Sequence, residues 1–64
     1  MNDVVTFEFY SDTNLESAFD ELQLMSLDVL TKEAGTILVG LSDWRAMQDS
    51  IEAIIDDHGG ELVG

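Results

Sequence analysis

Carboxylates are the side chains most available for chemistry in this sequence. Fourteen Asp and Glu residues stand against one Lys, one Arg and one His. Pairs such as Glu16 with Asp20, or Glu52 with Asp56, have a spacing compatible with general acid–base catalysis. Catalytic carboxylates also need a desolvated or tuned environment, and a solvated helix face does not provide one. We therefore interpret these pairs as surface charge.

Other residue types offer no better catalytic or metal site. Asp56, Asp57 and His58 are adjacent, and neighbouring helical residues point about 100° apart, so the three cannot close around one metal ion. His58 is better explained by the negative end of a helix. No cysteine is present, and no nucleophile elbow or glycine-rich phosphate loop appears. We expect no enzyme activity, no metal and no cofactor.

The carboxylates instead form two rows at helical spacing. The first acidic row consists of Asp12, Glu16 and Asp20. The second acidic row consists of Asp49, Glu52 and Asp56, with Asp57 beside it. Like charges about 6 Å apart cost stability, so the presence of these rows needs an explanation. Two are possible. The rows imitate a phosphate backbone and bind a protein partner, or they are the solvated surface of an acidic, including salt-adapted, proteome.

The net charge of −12 decides which partners are possible. Nucleic acids and anionic lipid surfaces are bound through Lys and Arg, so direct binding to either is excluded. A protein with a basic surface is attracted instead. The N-terminal residues 1–3 show no signal-peptide pattern, and a short chain without disulfides fits a reducing compartment. We expect a cytoplasmic protein.

The elements that must position these residues are predicted from hydrophobic periodicity. Sixty-four residues make one domain, 1–64. Residues 4–10 alternate as a strand with one buried face. Residues 11–14 offer helix N-caps, with Thr13 and Glu16 at capping-box spacing. An amphipathic helix of about three turns follows, with a predicted buried stripe of Leu15, Ala18, Phe19, Leu22 and Met25.

The second half repeats the strand and helix pattern. Residues 27–32 and 36–41 read as strands joined by a turn at 33–35, which predicts an antiparallel hairpin. Ser42 is a candidate cap for a second helix that ends at Gly59 and Gly60, and 61–63 form a closing edge strand. The second helix carries one apolar stripe, comprising Trp44, Met47, Ile51, Ile54, Ile55 and His58. We interpret Trp44 and Met47 as core residues rather than partner anchors.

The resulting order, β-α-β-β-α-β, predicts a small ferredoxin-like α+β fold with both helices on one face of an antiparallel sheet. Alternation places four apolar residues on the open face, namely Val4, Tyr10, Leu30 and Leu38. Three charged residues are expected beside them, namely Glu8, Asp28 and Lys32. A half-apolar open face suggests a homodimer or another partner, although scattered surface apolar residues are also ordinary.

One family resemblance comes from the last third of the chain. The segment from Leu41-Ser42-Asp43-Trp44 to His58-Gly59-Gly60-Glu61 resembles the closing segment of the regulator of ribonuclease E activity B family. The Phe7-Glu8-Phe9 strand before an acidic helix is also similar. The resemblance implies a small acidic ferredoxin-like protein that binds and inhibits an RNA-degrading enzyme.

The leading hypothesis is a small acidic inhibitor or regulator that binds a basic surface of a nucleic-acid-processing protein, as phage-type inhibitors such as anti-CRISPR or anti-host factors do. The seven residues of both rows, including Asp57, are the predicted partner-binding residues. The alternative is a homodimerising structural or assembly module without enzymatic activity. A small-molecule sensor or an enzyme comes third.

Overall fold

A computed structural model describes residues 3–63 as an α+β fold. The elements are β1 Val4–Glu8, α1 Asp12–Gln23, β2 Leu30–Glu33, β3 Thr36–Gly40, α2 Leu41–Ala46, α3 Gln48–Asp57 and β4 Glu61–Leu62. The four strands form one antiparallel sheet in the order β2-β3-β1-β4, with helices packed on it. The predicted fold class is confirmed. The element order differs from the ferredoxin-like pattern by one additional helix.

The core lies between the sheet and the helices. In the central strands Val5 stands opposite Val39, and Phe7 opposite Ile37. All four side chains are buried, because paired residues share a face of the sheet. From α1 and α3 the same cluster receives Leu15, Ala18, Leu22, Ile51 and Ile55. This layer holds the helices at fixed positions and therefore fixes where their exposed faces point.

The prediction of a single helix in the second half is wrong, because the helix is interrupted at Met47. Its φ of −131° and ψ of 35° are not helical, and they separate α2 from α3. α2 packs against β1 and β3, whereas α3 packs against α1. The apolar stripe runs through the break, since Trp44, Met47 and Ile51 all pack in or against the core. The sequence periodicity therefore gave no sign of it.

The helix ends follow the predicted chemistry in part. Ser11 caps α1, and its hydroxyl accepts a hydrogen bond from the Asn14 amide at 3.4 Å. Ser42 does not cap α2, because the helix already begins at Leu41 with Gly40 as N-cap. The predicted glycine stop is confirmed at the end of α3. There Gly59 has a φ of 71°, and the amides of Gly59 and Gly60 donate to the carbonyls of Asp56 and Ile55, a Schellman motif.

The composition of the open sheet face differs from the prediction. Leu30 pairs with Val39, and Lys32 with Ile37, so both lie on the face that the helices cover. β2 begins at Leu30, three residues later than predicted. Its inward and outward positions are exchanged relative to the prediction, because an offset of one residue exchanges the two faces of a strand. Tyr10 and Asp28 lie outside the strands.

A row of carboxylates crosses that open face instead. Residues paired across neighbouring strands occupy successive positions of the row, which reads Glu33, Thr36, Glu8 and Glu61. The apolar side chains that remain on this face include Val4 and Leu38, and Leu38 is only partly exposed. The face is therefore less apolar than the sequence predicted.

Among residues 3–63, no helix is both long and apolar enough to cross a membrane.

Candidate protein-binding surface

The second acidic row lies on the solvent side of α3. Ile51 and Ile55 are buried and hold the opposite side of this helix against the core. Asp49, Glu52 and Asp56 follow one another at intervals of three and four residues, so they project from one side of the helix. All three are exposed, as is Asp57. Within the described part of the chain, no cation forms an ion pair with any of these four carboxylates.

The first acidic row lies on α1 and is partly neutralised. Asp12, Glu16 and Asp20 are exposed. The Lys32 ammonium on β2 donates to both Glu16 carboxylate oxygens, at 2.5 and 2.6 Å. It also lies 4.9 Å from the centre of the Phe19 ring, a cation–π geometry. The only lysine of the sequence is therefore committed to the middle of this row.

The two rows face opposite edges of the sheet. Glu16 reaches Lys32 on β2, whereas Glu52 and Asp56 border a groove beside β4. β2 and β4 are the two edge strands. The two rows therefore lie at separate edges and do not form one continuous acidic surface. Each edge of the helical layer presents its own carboxylates, and those of the second acidic row form no ion pair with a cation among residues 3–63.

His58 joins the two long helices between these edges. Its Nε2 lies 2.8 Å from a Glu21 carboxylate oxygen on α1. Its Nδ1 lies 2.8 Å from the Ile54 carbonyl oxygen one turn earlier. Both neighbours are hydrogen-bond acceptors, and the contact with Glu21 bridges α3 and α1. The predicted role of His58 at a helix end therefore extends to a contact between helices.

A groove of about 450 Å³ separates α3 from the edge strand β4. Its floor is the edge of the core: Phe7 is almost fully buried, and its ring meets that of Trp44 at 5.3 Å and 60°. The walls are Gln48, Glu52, Ile55 and Asp56 from α3, and Gly60, Glu61 and Leu62 from the β4 side. Trp44 is partly buried against the core, as predicted, and it also lines this groove. Leu62 is 54% exposed at the edge strand.

A second cavity, of about 360 Å³, lies where the loop before β2 meets α2. It contains Asp43, the one buried charged side chain in the described chain. The Asp43 carboxylate accepts a hydrogen bond from the Val29 amide at 3.0 Å. The buried carboxylate is therefore satisfied by a backbone amide of the same chain, and it anchors the loop to α2. No group of three or more His, Asp or Glu side chains in residues 3–63 could hold a metal ion.

No protein-family model, curated protein or solved structure matches the chain. The resemblance to the regulator of ribonuclease E activity B family therefore stays a prediction.

Sequence reasoning placed the carboxylate rows but missed the groove. The groove combines the end of β1, the α2–α3 region and the turn into β4, which are far apart in the sequence. Trp44 was the available signal, because a tryptophan that is not fully buried in a small domain often has one side open to a partner.

Proposed function

We propose that this domain is an inhibitor or regulator that binds a basic surface of a nucleic-acid-processing protein, and that the edge formed by α3 and β4 makes the contact. The observation that carries the proposal is the unpaired state of the second acidic row. Asp49, Glu52 and Asp56 are exposed on one side of α3 without an ion-paired cation in the described chain. Folding alone does not require this repulsion, whereas a cationic partner relieves it.

The two acidic rows contribute differently. The net charge of −12 attracts a basic protein over a distance of about a Debye length, roughly 8 Å at physiological ionic strength. Any carboxylate of either row adds to that attraction. Short-range contacts depend on position, and the α3 side places carboxylates next to apolar side chains such as Trp44 and Leu62. Charge at the rim with apolar contact beneath it is the usual composition of a protein interface.

A nucleic-acid-processing partner is favoured by the spacing of the carboxylates. Successive residues of the second row lie about 4.5 and 6 Å apart along the helix axis, similar to the separation of neighbouring phosphates in an extended strand. A cationic channel for nucleic acid binds phosphates through Lys and Arg. The same channel is complementary to this row, and the domain therefore competes with nucleic acid for it.

Affinity capture with a nucleic-acid competitor tests this proposal. The domain is immobilised, exposed to bacterial lysate treated with nuclease, and washed with increasing salt. We expect one or a few nucleic-acid-binding proteins to stay bound at physiological salt and to be released by added DNA or RNA. Capture of a discrete protein that excess nucleic acid does not displace would contradict the mimicry. A salt-labile mixture of basic proteins would show that the charge attracts without specificity.

The homodimer alternative has less support from the sheet. The open face lacks Leu30, which the helices cover. A carboxylate row that includes Glu33, Glu8 and Glu61 crosses it. A second copy packed over that end of the face would bury those carboxylates next to its own, and burying an unpaired charge is costly.

A further inference from the structure

We propose that the groove between α3 and β4 is a binding site for a single arginine side chain of the partner protein. This inference rests on the proposed function and assigns the central contact of that interface. It follows from the groove's shape, its aromatic wall and its charge.

The groove is large enough to admit a long side chain, and its lining is partly apolar. Its volume is about 450 Å³, and it is bordered by Ile55, Trp44 and Leu62 with Phe7 at its floor. Gly60 forms part of the wall without a side chain, and any Cβ added there would lie 2.6 Å from Phe9. A glycine at this position is therefore required by packing against the core.

The charge around the groove selects a cation. Glu52 and Asp56 line it from successive turns of α3, and both are exposed without an ion-paired cation in the described chain. A neutral apolar side chain would fill the floor and leave these two carboxylates without partners. A cationic side chain with an apolar stem satisfies both parts of the lining.

Arginine fits these walls better than lysine. The guanidinium is planar, stacks on aromatic rings and donates two parallel hydrogen bonds to a carboxylate. Trp44 supplies an aromatic surface, since its ring is only partly buried against Phe7. The domain already contains a related arrangement on its other edge, where Lys32 lies over Phe19 and binds Glu16.

Tryptophan fluorescence tests the site directly, because Trp44 is the only tryptophan. The probe is the neutral-ended peptide acetyl-glycyl-arginyl-glycinamide. The matched control is the same peptide with citrulline, which keeps the shape of arginine and removes its charge. We expect a saturable change in Trp44 emission with the arginine peptide and at least fivefold weaker binding of the citrulline peptide. Equal binding of both peptides would overturn the cation assignment.

Two double variants separate the groove from general attraction. Glu52→Gln with Asp56→Asn removes the two groove carboxylates that α3 supplies, and we expect about fivefold to tenfold weaker binding of the arginine peptide. Glu33→Gln with Asp28→Asn removes the same charge from exposed positions outside the groove, and we expect less than a twofold change. Equal losses in both variants would overturn the site. Far-UV circular dichroism confirms that each variant is folded.

The outcome also distinguishes this inference from the proposed function. If the peptide fails to bind while a captured protein is still displaced by nucleic acid, the groove assignment alone is wrong. If the peptide binds the groove while no discrete protein is captured, the arginine site stands and the proposed function is lost.

Discussion

At the scale of single residues, the two glycines at the end of α3 are required for different physical reasons. Gly59 adopts a φ of 71°, and a Cβ there would meet no atom within 4 Å. Gly60 is the reverse case, because a Cβ there would lie 2.6 Å from Phe9 and 2.8 Å from Ile55. The first glycine is required by backbone conformation, and the second is required by packing.

Two substitutions test this distinction. We expect Gly60→Ala to lower the free energy of unfolding by about 2 to 3 kcal/mol, because the methyl group must displace side chains of the packed core. Gly59→Asn should cost less than about 1 kcal/mol, since Asn tolerates the left-handed conformation and the site is open. Urea denaturation of both variants measures the difference. A smaller loss for Gly60→Ala than for Gly59→Asn would contradict the packing described for this turn.

At the scale of elements, the position of each charge depends on features that sequence patterns reveal unequally. The β2–β3 hairpin was predictable because Gly35, with a φ of 75°, follows an alternating strand and precedes another. The end of α3 was predictable for the same type of reason. Local chemistry specifies turns and caps, so they can be recognised in a single sequence.

The face of β2 and the break between α2 and α3 were not predictable in this way. Alternating residues before Gly35 are compatible with either face until the start of the strand is known, and that start depends on the loop after α1. Ser26 takes a positive φ of 57° in this loop. At Met47 the helical stripe continues across the break, so the periodicity is the same for one helix or two. Both features arise from tertiary packing.

One contact between elements offers a direct test. Asp43, in the first turn of α2, binds the Val29 amide and holds the loop before β2. We expect Asp43→Ala to lower the free energy of unfolding by about 1 to 3 kcal/mol, because the Val29 amide loses its acceptor in a partly buried site. Hydrogen exchange at the Val29 amide should also become faster.

Asp49→Ala is the matched control for that variant. Asp49 lies in the first turn of α3, so its removal costs the same favourable interaction with a helix N-terminus. Its side chain is exposed, and no amide hydrogen bond depends on it. If Asp49→Ala destabilises the domain as much as Asp43→Ala does, and accelerates hydrogen exchange at the Val29 amide by as much, the loop is not anchored by Asp43.

At the scale of the whole molecule, charge is distributed between two edges of unequal character. The edge formed by α1 and β2 holds the only lysine, bound to Glu16. The edge formed by α3 and β4 holds the second acidic row and the groove with Trp44. Net charge could be read from composition, whereas this asymmetry depends on which side of each helix faces which strand. The proposed function therefore concerns one edge and not the total charge.

Two charge-matched variants, used as capture columns beside the unmodified domain, test that claim most directly. Asp49→Asn, Glu52→Gln and Asp56→Asn neutralise the second acidic row, and Asp12→Asn, Glu16→Gln and Asp20→Asn neutralise the first with the same residue types. Quantitative mass spectrometry measures the retained partner. We expect at least a tenfold loss of the retained protein on the second-row column and less than a threefold loss on the first-row column, because only the second row makes short-range contacts. Equal losses on the two columns, with both variants folded, would contradict the account and leave net charge as the cause of binding.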